Sequence, residues 1–185
     1  MIQDLLGSQA WLDVRTWRDT YADNLTSVHV SVLSVVTPLT SLLEGKYGMK
    51  LDVHLHDQFV DDMSEQEAQL LKVEKGERCL RRKVSLLSRG EVMFDAESVL
   101  PLDVLPIELM SELEEGKRPL ANLLSDQGLM LSRSNLSITQ VQAQGFYESC
   151  WARRSVLGST SGAKALVTEV FHDAVWRKIQ YLVQR

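Results

Sequence analysis

The chain has 185 residues and a net charge of −5, with 44% hydrophobic and 24% charged residues. This balance is typical of one globular domain, residues 1–185, whose core needs neither metals nor disulfides. The negative charge argues against a nucleic-acid-binding protein, which normally carries a basic patch or stripe. No apolar run approaches the ~20 residues of a membrane-spanning helix, so the sequence predicts no membrane span.

The N-terminal sequence and the cysteine content favour a cytoplasmic protein. The opening MIQDLLGSQAWLDVR has early acids and no basic segment, unlike a secretory signal. Cys79 and Cys150 are the two cysteines, which fits a reducing compartment better than a disulfide-bonded scaffold, although a bridge between them stays an alternative. We expect a monomer or a weak oligomer.

The first part of the chain predicts a helical cover followed by a strand. Residues 1–36 are expected to form this N-terminal cover, although the β-branched stretch TSVHVSVLSVV at 26–36 also fits a strand. Thr37 as N-cap and Pro38 at the first helical position predict a short helix that runs to about Glu44. The alternation in KLDVHLHDQFV then predicts a half-buried strand with one apolar face, formed by Leu51, Val53, Leu55 and Phe59.

A capping box and a hairpin mark the middle of the chain. Ser64 followed by Glu67 predicts the start of a helix. The long apolar runs RCLRRKVSLLS and EVMFDAESVLP join across Arg89 and Gly90, which is a strong signal for a hairpin. Further helices are expected at residues 106–115 and in PLANLLSDQ.

The last third of the chain predicts three more strands, in LMLSRSNLSITQV, ESCWARRSVLG and AKALVTEVF, with GSTSG as the turn between the last two. A C-terminal helix is expected at 172–185. The total is about six strands, and the short turns imply antiparallel neighbours. We therefore predict an α+β fold with a six-stranded, mainly antiparallel sheet and flanking helices.

Two residues of opposite charge lie on predicted strand faces that are otherwise apolar. In ALVTEVF, Glu169 shares a face with Val167 and Phe171, and in LRRKVSLL, Arg82 shares a face with Leu80, Val84 and Leu86. Burying either charge alone costs several kcal/mol. The structural alternative is a buried ion pair between them. The functional alternative is a small dry pocket in which the arginine binds an anion and the acid assists a proton transfer.

His54 and His56 are further candidate ligand residues. Alternation would place both imidazoles on one strand face, but a third ligand is lacking at motif spacing. A solvated strand face is therefore favoured over a metal site. The sequence has no phosphate-binding glycine loop, dinucleotide fingerprint or zinc spacing. From the residues alone we expect a pocket for a small anion that uses no cofactor.

Four stretches, LRRKVSLLSRGEVMFDAESVLP, EGKRPL, WARRSV and GAKALVTEVF, resemble the chorismate pyruvate-lyase family in their order and spacing. The resemblance spans most of residues 37–171, and WARRSV followed closely by LVTEVF is its most specific part. The hairpin that ends in SVLP also resembles the UTRA effector-binding domains of bacterial transcription regulators. The family fold implied is a six-stranded antiparallel sheet with helices and an enclosed ligand pocket.

The resemblance implies roles for four residues. Arg82 would grip the substrate, and Glu169 would be the essential acid. Leu120 would supply a backbone contact from a flap over the pocket, and Leu39 would be an apolar residue of the pocket wall.

The sequence departs from the family pattern at two positions. Pro38 replaces the usual serine of the S-M-T or S-L-T motif, and Glu97 stands where an arginine is often found. Both departures bear on the entrance of the pocket and on the substrate that it accepts.

The activity implied by the resemblance is that of a lyase that converts chorismate into 4-hydroxybenzoate and pyruvate, the first step toward ubiquinone, without a metal or an organic cofactor. A desolvated Glu169 is expected to have a raised pKa. Two rival functions remain. One is a non-catalytic sensor of small aromatic carboxylates of the UTRA type, and the other is an interaction protein whose charged pair is purely structural.

Overall fold

A computed structural model of the protein describes residues 2, 9–126, 131–160 and 162–184. The seven strands of the described chain are β1 (Leu12–Asp13), β2 (Asp52–Asp62), β3 (Arg78–Ser88), β4 (Glu91–Pro101), β5 (Leu131–Gln140), β6 (Trp151–Ser159) and β7 (Lys164–Phe171). Its seven α-helices are α1 (Val14–Thr20), α2 (Ser27–Leu33), α3 (Leu39–Tyr47), α4 (Glu65–Leu71), α5 (Ile107–Glu115), α6 (Leu120–Asp126) and α7 (Asp173–Val183).

All seven strands form one sheet in the order β1-β5-β6-β7-β4-β3-β2. Every neighbouring pair is antiparallel. The predicted α+β class and antiparallel sheet are confirmed, but the predicted count of six strands is wrong. The additional strand is β1, whose two residues pair with β5 at the sheet edge and are too few to produce an alternation pattern. Parts of the predicted elements, at residues 1, 3–8, 127, 129–130, 161 and 185, lie outside the described residues.

The stretch at 26–36 is helical rather than extended. The Thr26 side chain accepts a hydrogen bond from the backbone of His29, and the His29 ring accepts one from the backbone of Thr26. This reciprocal cap provides partners for N–H groups that would otherwise be free at the start of α2. A local cap and the packing of Val32 and Leu33 into the core therefore outweigh the strand preference of the β-branched residues.

Helix α3 differs from its predicted limits at both ends. Its N-cap is Pro38 rather than Thr37, and no side chain caps it. The helix continues past Glu44 to Tyr47, where Gly48 ends it in the left-handed conformation with φ 63°. With these limits, Leu39 lies in the first turn of α3, at the edge of the core.

A bulge between Leu55 and Asp57 interrupts the alternation of β2. Leu55 lies opposite Val84, but Phe59 lies opposite Arg81. The sequence prediction that Leu55 and Phe59 share a face is therefore wrong. The extra residue of the bulge turns the side chains that follow it to the other face of the sheet.

The two strongest local signals of the sequence are confirmed. Ser64 and Glu67 form the capping box at the start of α4, with both reciprocal hydrogen bonds present. Arg89 and Gly90 join β3 to β4 with φ angles of 52° and 80°, as expected of a two-residue turn that matches the strand twist.

Two groups of helices pack on the same face of the sheet, which we call the inner face and which carries Arg82 and Glu169. Helices α1, α2, α3 and α7 pack around Phe94 and Phe171 at one end. Helices α5 and α6 contribute a cluster of leucines at the other end, around Leu80 and Leu100. The gap between these two groups positions the site described below. Helix α4 packs on the opposite face.

Gly116 ends α5 in a left-handed conformation, with φ 67°, and lies against Leu55. A Cβ atom there would come within 2.6 Å of the Leu55 Cδ2 atom. Gly48 has a similar φ of 63° but no atom within 4 Å of the same position. We expect Gly116→Ala to lower the free energy of unfolding by about 1–3 kcal/mol more than Gly48→Ala, since it adds overpacking to the shared backbone cost.

Thermal and urea unfolding of the two variants and the wild type measure this difference. Equal losses of stability would contradict the close packing of α5 on β2.

A candidate anion-binding site on the inner face of the sheet

A small cavity of about 50 Å³ lies between the two helical groups and the inner face of the sheet. Strands β3, β4, β5, β6 and β7 form its floor, and the first residues of α3 and α6 form its roof. Its walls are mainly apolar, with a few charged and polar groups. The lining residues are Leu39, Thr40, Arg82, Val84, Leu86, Phe94, Ala96, Ser98, Pro119, Leu120, Ala121, Arg133, Leu157, Val167 and Glu169.

All four residues singled out from the sequence line this one cavity. Leu39 and Leu120 belong to the roof, with 3% and 7% of their surface exposed. The Thr40 hydroxyl donates a hydrogen bond to Asn122 Oδ1 at 3.4 Å and joins the two roof segments. Arg82 and Glu169 belong to the floor.

Arg82 is a buried cation with an incomplete set of hydrogen bonds. It is 1% exposed, and its Nη2 donates to the backbone carbonyl of Arg118 at 3.0 Å, in the loop before α6. Its Nε is shut off from solvent and has no hydrogen-bond partner among the described residues. Burial lowers the pKa of Arg82 to about 10, which still leaves the side chain charged at neutral pH. A buried charged donor without a partner is costly, and it marks a place where an anion would bind favourably.

Glu169 is paired with Arg153 rather than with Arg82. The guanidinium of Arg153 contacts both carboxylate oxygens, through Nε to Oε2 and through Nη2 to Oε1 at 3.2 Å. These two residues lie directly opposite each other on β6 and β7. The alternative of a direct Arg82–Glu169 ion pair is wrong, since no such pair joins these two described side chains. The apolar strand face tolerates the acid because its partner is buried beside it.

Arg153 also ties the acid to the helical cover. It is fully buried, and its Nη1 donates to the carbonyls of Val32 at 3.3 Å and Val35 at 3.1 Å. These carbonyls lie at and just beyond the last turn of α2, where a cation is favourable. The orientation of Glu169 is therefore set by a fully bonded arginine.

The expected rise in the pKa of Glu169 is wrong. Burial pushes the pKa upward, but the charges of Arg153 and Arg133 and the hydrogen bonds from Arg153 outweigh it, so the net shift is downward. Glu169 is therefore ionised at neutral pH and acts as a hydrogen-bond acceptor.

Arg133 is a third arginine at this site, and sequence reasoning missed it. Its Nη1 donates to the Ser155 hydroxyl, and its Nε is buried without a hydrogen-bond partner among the described residues. Burial is the main cause that lowers its pKa to about 10, so it too stays charged at neutral pH. Arg133 lies opposite Leu157 on β6. Strand alternation does not flag it, because in LMLSRSN the arginine shares its strand face with Asn135 rather than with an unbroken apolar run.

Arg153 was also missed as a site residue, although WARRSV is part of the family resemblance. The antiparallel pairing of β6 and β7 brings Arg153 opposite Glu169. A turn at the predicted residues 158–162 would instead place Arg153 opposite Val167, so the predicted turn does not yield this pair.

A larger cavity of about 510 Å³ lies on the opposite face of the sheet, and its polar groups are bonded to one another. Asp95 accepts hydrogen bonds from Ser85, from Tyr147 at 2.7 Å and from His172 at 2.8 Å. Burial raises the pKa of Asp95, but its hydrogen bonds, led by that from His172, lower it overall. Because these groups are mutually satisfied, the smaller cavity on the inner face is the better candidate for an anion.

The departure from the family pattern at Glu97 lies on this opposite face. Glu97 is fully buried and pairs with Arg81 at 3.1 Å, and Arg81 also binds Glu67 at 2.8 Å. Glu97 is absent from the lining of the inner-face cavity, which consists of the described residues given above. Arg81 therefore supplies the counter-charge for Glu97, the residue that stands here in place of the arginine often found in the family.

The two histidines of β2 take part in local contacts. Their rings lie 4.7 Å apart, and His56 Nε2 lies 2.6 Å from the Ser85 hydroxyl. Among the residues that the structure describes, no group of three His, Cys, Asp or Glu side chains is arranged to share a metal ion.

The fold and the cavity define an α+β domain with a candidate site for an anion on the inner face of its sheet. The chain belongs to the chorismate lyase family, because the model of that family matches residues 12–181. The search of curated proteins found no match. No helix within the described part of the chain is long and apolar enough to cross a membrane.

Solved structures with similar folds come from bacterial regulators. The effector domain of PhnF from Mycobacterium smegmatis is 13% identical, with a TM-score of 0.56, and the match covers 75% of this chain and 90% of that one. A putative transcriptional regulator from Streptomyces coelicolor is 17% identical, with a TM-score of 0.54, and the match covers 68% and 89%. At these identities the similarity shows the fold alone.

Removal of Arg153 tests the pairing. We expect Arg153→Met to lower the free energy of unfolding by about 3–5 kcal/mol, because the buried Glu169 would lose its counter-charge. The double variant Arg153→Met with Glu169→Gln should recover part of this loss. Arg154→Met is the matched control, since Arg154 lies on the opposite face and stacks on the Trp11 ring at 4.5 Å. Urea unfolding measures all three, and equal losses in the two single variants would refute the pairing.

The lowered pKa of Glu169 makes a prediction about acid. A carboxyl group whose pKa is lower in the folded state stabilises the fold above its unfolded pKa and loses that effect as the pH falls through the folded pKa. The stability difference between wild type and Glu169→Gln should therefore be constant at neutral pH and shrink only below the ordinary glutamate pKa of about 4.3. Urea unfolding from pH 7 to pH 3 checks it, and a difference that shrinks near pH 6 would indicate a raised pKa.

Proposed function

We propose that the protein is a lyase that converts chorismate into 4-hydroxybenzoate and pyruvate. The observation that carries this proposal is a small cavity in which Arg82, a cation with an unpartnered Nε, and Glu169, an ionised acid, line one apolar floor. Membership of the chorismate lyase family supports it. The product would serve quinone synthesis, ubiquinone in particular.

In this proposal Arg82 binds the ring carboxylate of chorismate. The free Nε of Arg82 supplies a charge-assisted hydrogen bond, and its contact with the Arg118 carbonyl holds the guanidinium in place. Leu120 would add its backbone N–H from the roof, and Leu39 would pack on the ring. Fixing the substrate in a dry cavity lowers the entropic part of the barrier.

Glu169 would act at carbon 4 of the substrate. As an ionised carboxylate it can accept a hydrogen bond from the carbon-4 hydroxyl or take the carbon-4 proton. When that proton leaves, its electron pair enters the ring, and the bond between ring carbon 3 and the ether oxygen breaks. The departing enolpyruvate takes up a proton and becomes pyruvate. The ring becomes aromatic, which supplies the driving force without a metal or a cofactor, and acid–base help of this kind contributes about 10²–10⁴-fold.

Substrate binding requires the roof to move. The cavity of about 50 Å³ is far smaller than the 300–1,000 Å³ typical of pockets for drug-sized ligands. The roof consists of the ends of two short helices joined by the weak Thr40–Asn122 hydrogen bond, whereas the floor is continuous sheet. The roof is therefore the part that can open.

The rival function is a sensor that binds a small anion without converting it. The similar folds of the bacterial regulators favour this second candidate. Both functions use the same cation, so binding alone does not separate them, and only turnover does.

Incubation of the purified protein with chorismate tests the proposal directly. We expect 4-hydroxybenzoate and pyruvate in equal amounts, measured by chromatography and by a coupled pyruvate assay. Binding of chorismate in a calorimetric titration without formation of either product would establish the sensor instead.

Two variants test the assigned roles. We expect Glu169→Gln to lower kcat at least 100-fold while 4-hydroxybenzoate still binds, since the acid acts on the reacting atoms. Arg82→Ala should weaken both turnover and product binding. Arg154→Ala removes a buried arginine on the opposite face and controls for stability. Wild-type kinetics in either site variant would refute the assigned roles.

A further inference from the structure

The charges around the cavity do not balance. Of the described residues that line it, three carry a formal charge, namely Arg82, Arg133 and Glu169. The charge of Glu169 is already matched by Arg153, which binds both of its oxygens. Two guanidinium groups, that of the buried Arg82 and that of the half-buried Arg133, are left without a counter-ion at the site. Each has a buried Nε without a hydrogen-bond partner in the described chain.

The sheet places these two cations on either side of the acid. In the strand order β5-β6-β7-β4-β3, Glu169 lies on the central strand, with Arg133 two strands away on one side and Arg82 two strands away on the other. Arg82 is level with Val167, two residues from the acid, and Arg133 is level with Ala165, four residues from it. At about 4.8 Å between strands and about 3.4 Å per residue, the two arginine backbones are roughly 12 Å and 17 Å from that of the acid. Both side chains reach the same cavity, so a ligand above Glu169 can touch one arginine at each end.

A ligand with two separated negative charges matches this arrangement, whereas a monocarboxylate leaves one of the two arginines without a counter-ion. Chorismate has two carboxylates, one on the ring and one on the enolpyruvyl group. We propose that Arg133 binds the enolpyruvyl carboxylate and makes the site selective for dicarboxylates. This assignment rests on the proposed function for the identity of the ligand, but its charge selectivity can be tested without turnover.

Arg133 is held in a position suited to this role. Its Nη1 donates to the hydroxyl of Ser155, which is fully buried on β6, and this contact leaves the Nε side of the guanidinium for a ligand. The contact with neutral Ser155 does not neutralise the charge, unlike the contact of Arg153 with Glu169.

The reaction would use the two arginines differently. Both carboxylates are present in the substrate, but the aromatic product keeps only the ring carboxylate. Arg82 would therefore bind substrate and product alike, and Arg133 would bind only the substrate and the departing enolpyruvate. Cleavage would remove the ligand charge that matches Arg133, which favours dissociation of the smaller product.

Two stable probes test the charge selectivity by calorimetric titration. The dianion is 4-(carboxymethoxy)benzoate, and the matched monoanion is 4-methoxybenzoate. We expect the wild type to prefer the dianion by about 10–100-fold, the value of one charge-assisted hydrogen bond. Arg133→Met should remove this preference and leave the affinity for the monoanion unchanged, and Arg133→Lys should retain part of it. Arg82→Ala should weaken the binding of both probes.

Several outcomes would overturn the assignment. A dianion preference that survives in Arg133→Met would place the second carboxylate elsewhere. An equal loss of both affinities, or a large drop in the melting temperature of both Arg133 variants, would make Arg133 a structural residue. Failure of the wild type to prefer the dianion would also refute it.

Kinetics separate this assignment from the proposed function. With chorismate, Arg133→Met should raise KM at least 10-fold while inhibition by 4-hydroxybenzoate stays as in the wild type. If the wild type selects the dianion, Arg133→Met loses this preference and no 4-hydroxybenzoate forms, the lyase function fails and the charge selectivity of Arg133 stands. If it converts chorismate but Arg133→Met keeps the wild-type KM, the assignment fails and the lyase function stands.

Discussion

The buried pair between Arg153 and Glu169 is the interaction on which the site depends. It allows an acid to occupy the middle of an apolar sheet face, and it keeps that acid ionised because a full positive charge lies beside it. The same arginine bonds to Val32 and Val35 and so connects the sheet to α2. One side chain thus sets the charge of Glu169, its orientation and the position of the helical cover.

The charged groups at the two cavities differ in how fully they are hydrogen-bonded. On the opposite face, Arg81 bonds to Glu67 and Glu97, and Asp95 accepts hydrogen bonds from three donors. On the inner face, Arg82 and Arg133 each retain a buried Nε without a partner among the described residues. Buried polar groups are nearly always partnered, so such exceptions indicate where a ligand completes the structure. Arg154 on the opposite face also has a buried Nε without a partner in the described chain, but its guanidinium stacks on the Trp11 ring and does not line the larger cavity. Two such arginines that line one cavity, rather than cavity size, separate the candidate site from its neighbour.

Local patterns were predictable where neighbouring residues decide the structure. The capping box at Ser64 and the hairpin turn at Arg89 follow from contacts within four residues, and sequence reasoning found both. The bulge after Leu55 and the two-residue strand β1 follow instead from pairing with distant strands, and the sequence carried no pattern for either. The stretch after Thr26 is intermediate between these two cases. Its cap is a local signal for a helix, but its β-branched residues favour a strand.

Where no bulge interrupts a strand, the sequence by itself determined which residues share a face, and therefore that Arg82 and Glu169 each lie among apolar residues. It also determined the family, through the order and spacing of four stretches. Only the tertiary structure decided that Arg153 is the partner of the acid, that Arg133 joins the site, and that the pKa of Glu169 falls rather than rises. The reason is that the sheet face on which a side chain lies follows from the two-residue period of a single strand. Charge balance, in contrast, depends on the sum of burial and neighbouring charges across five strands.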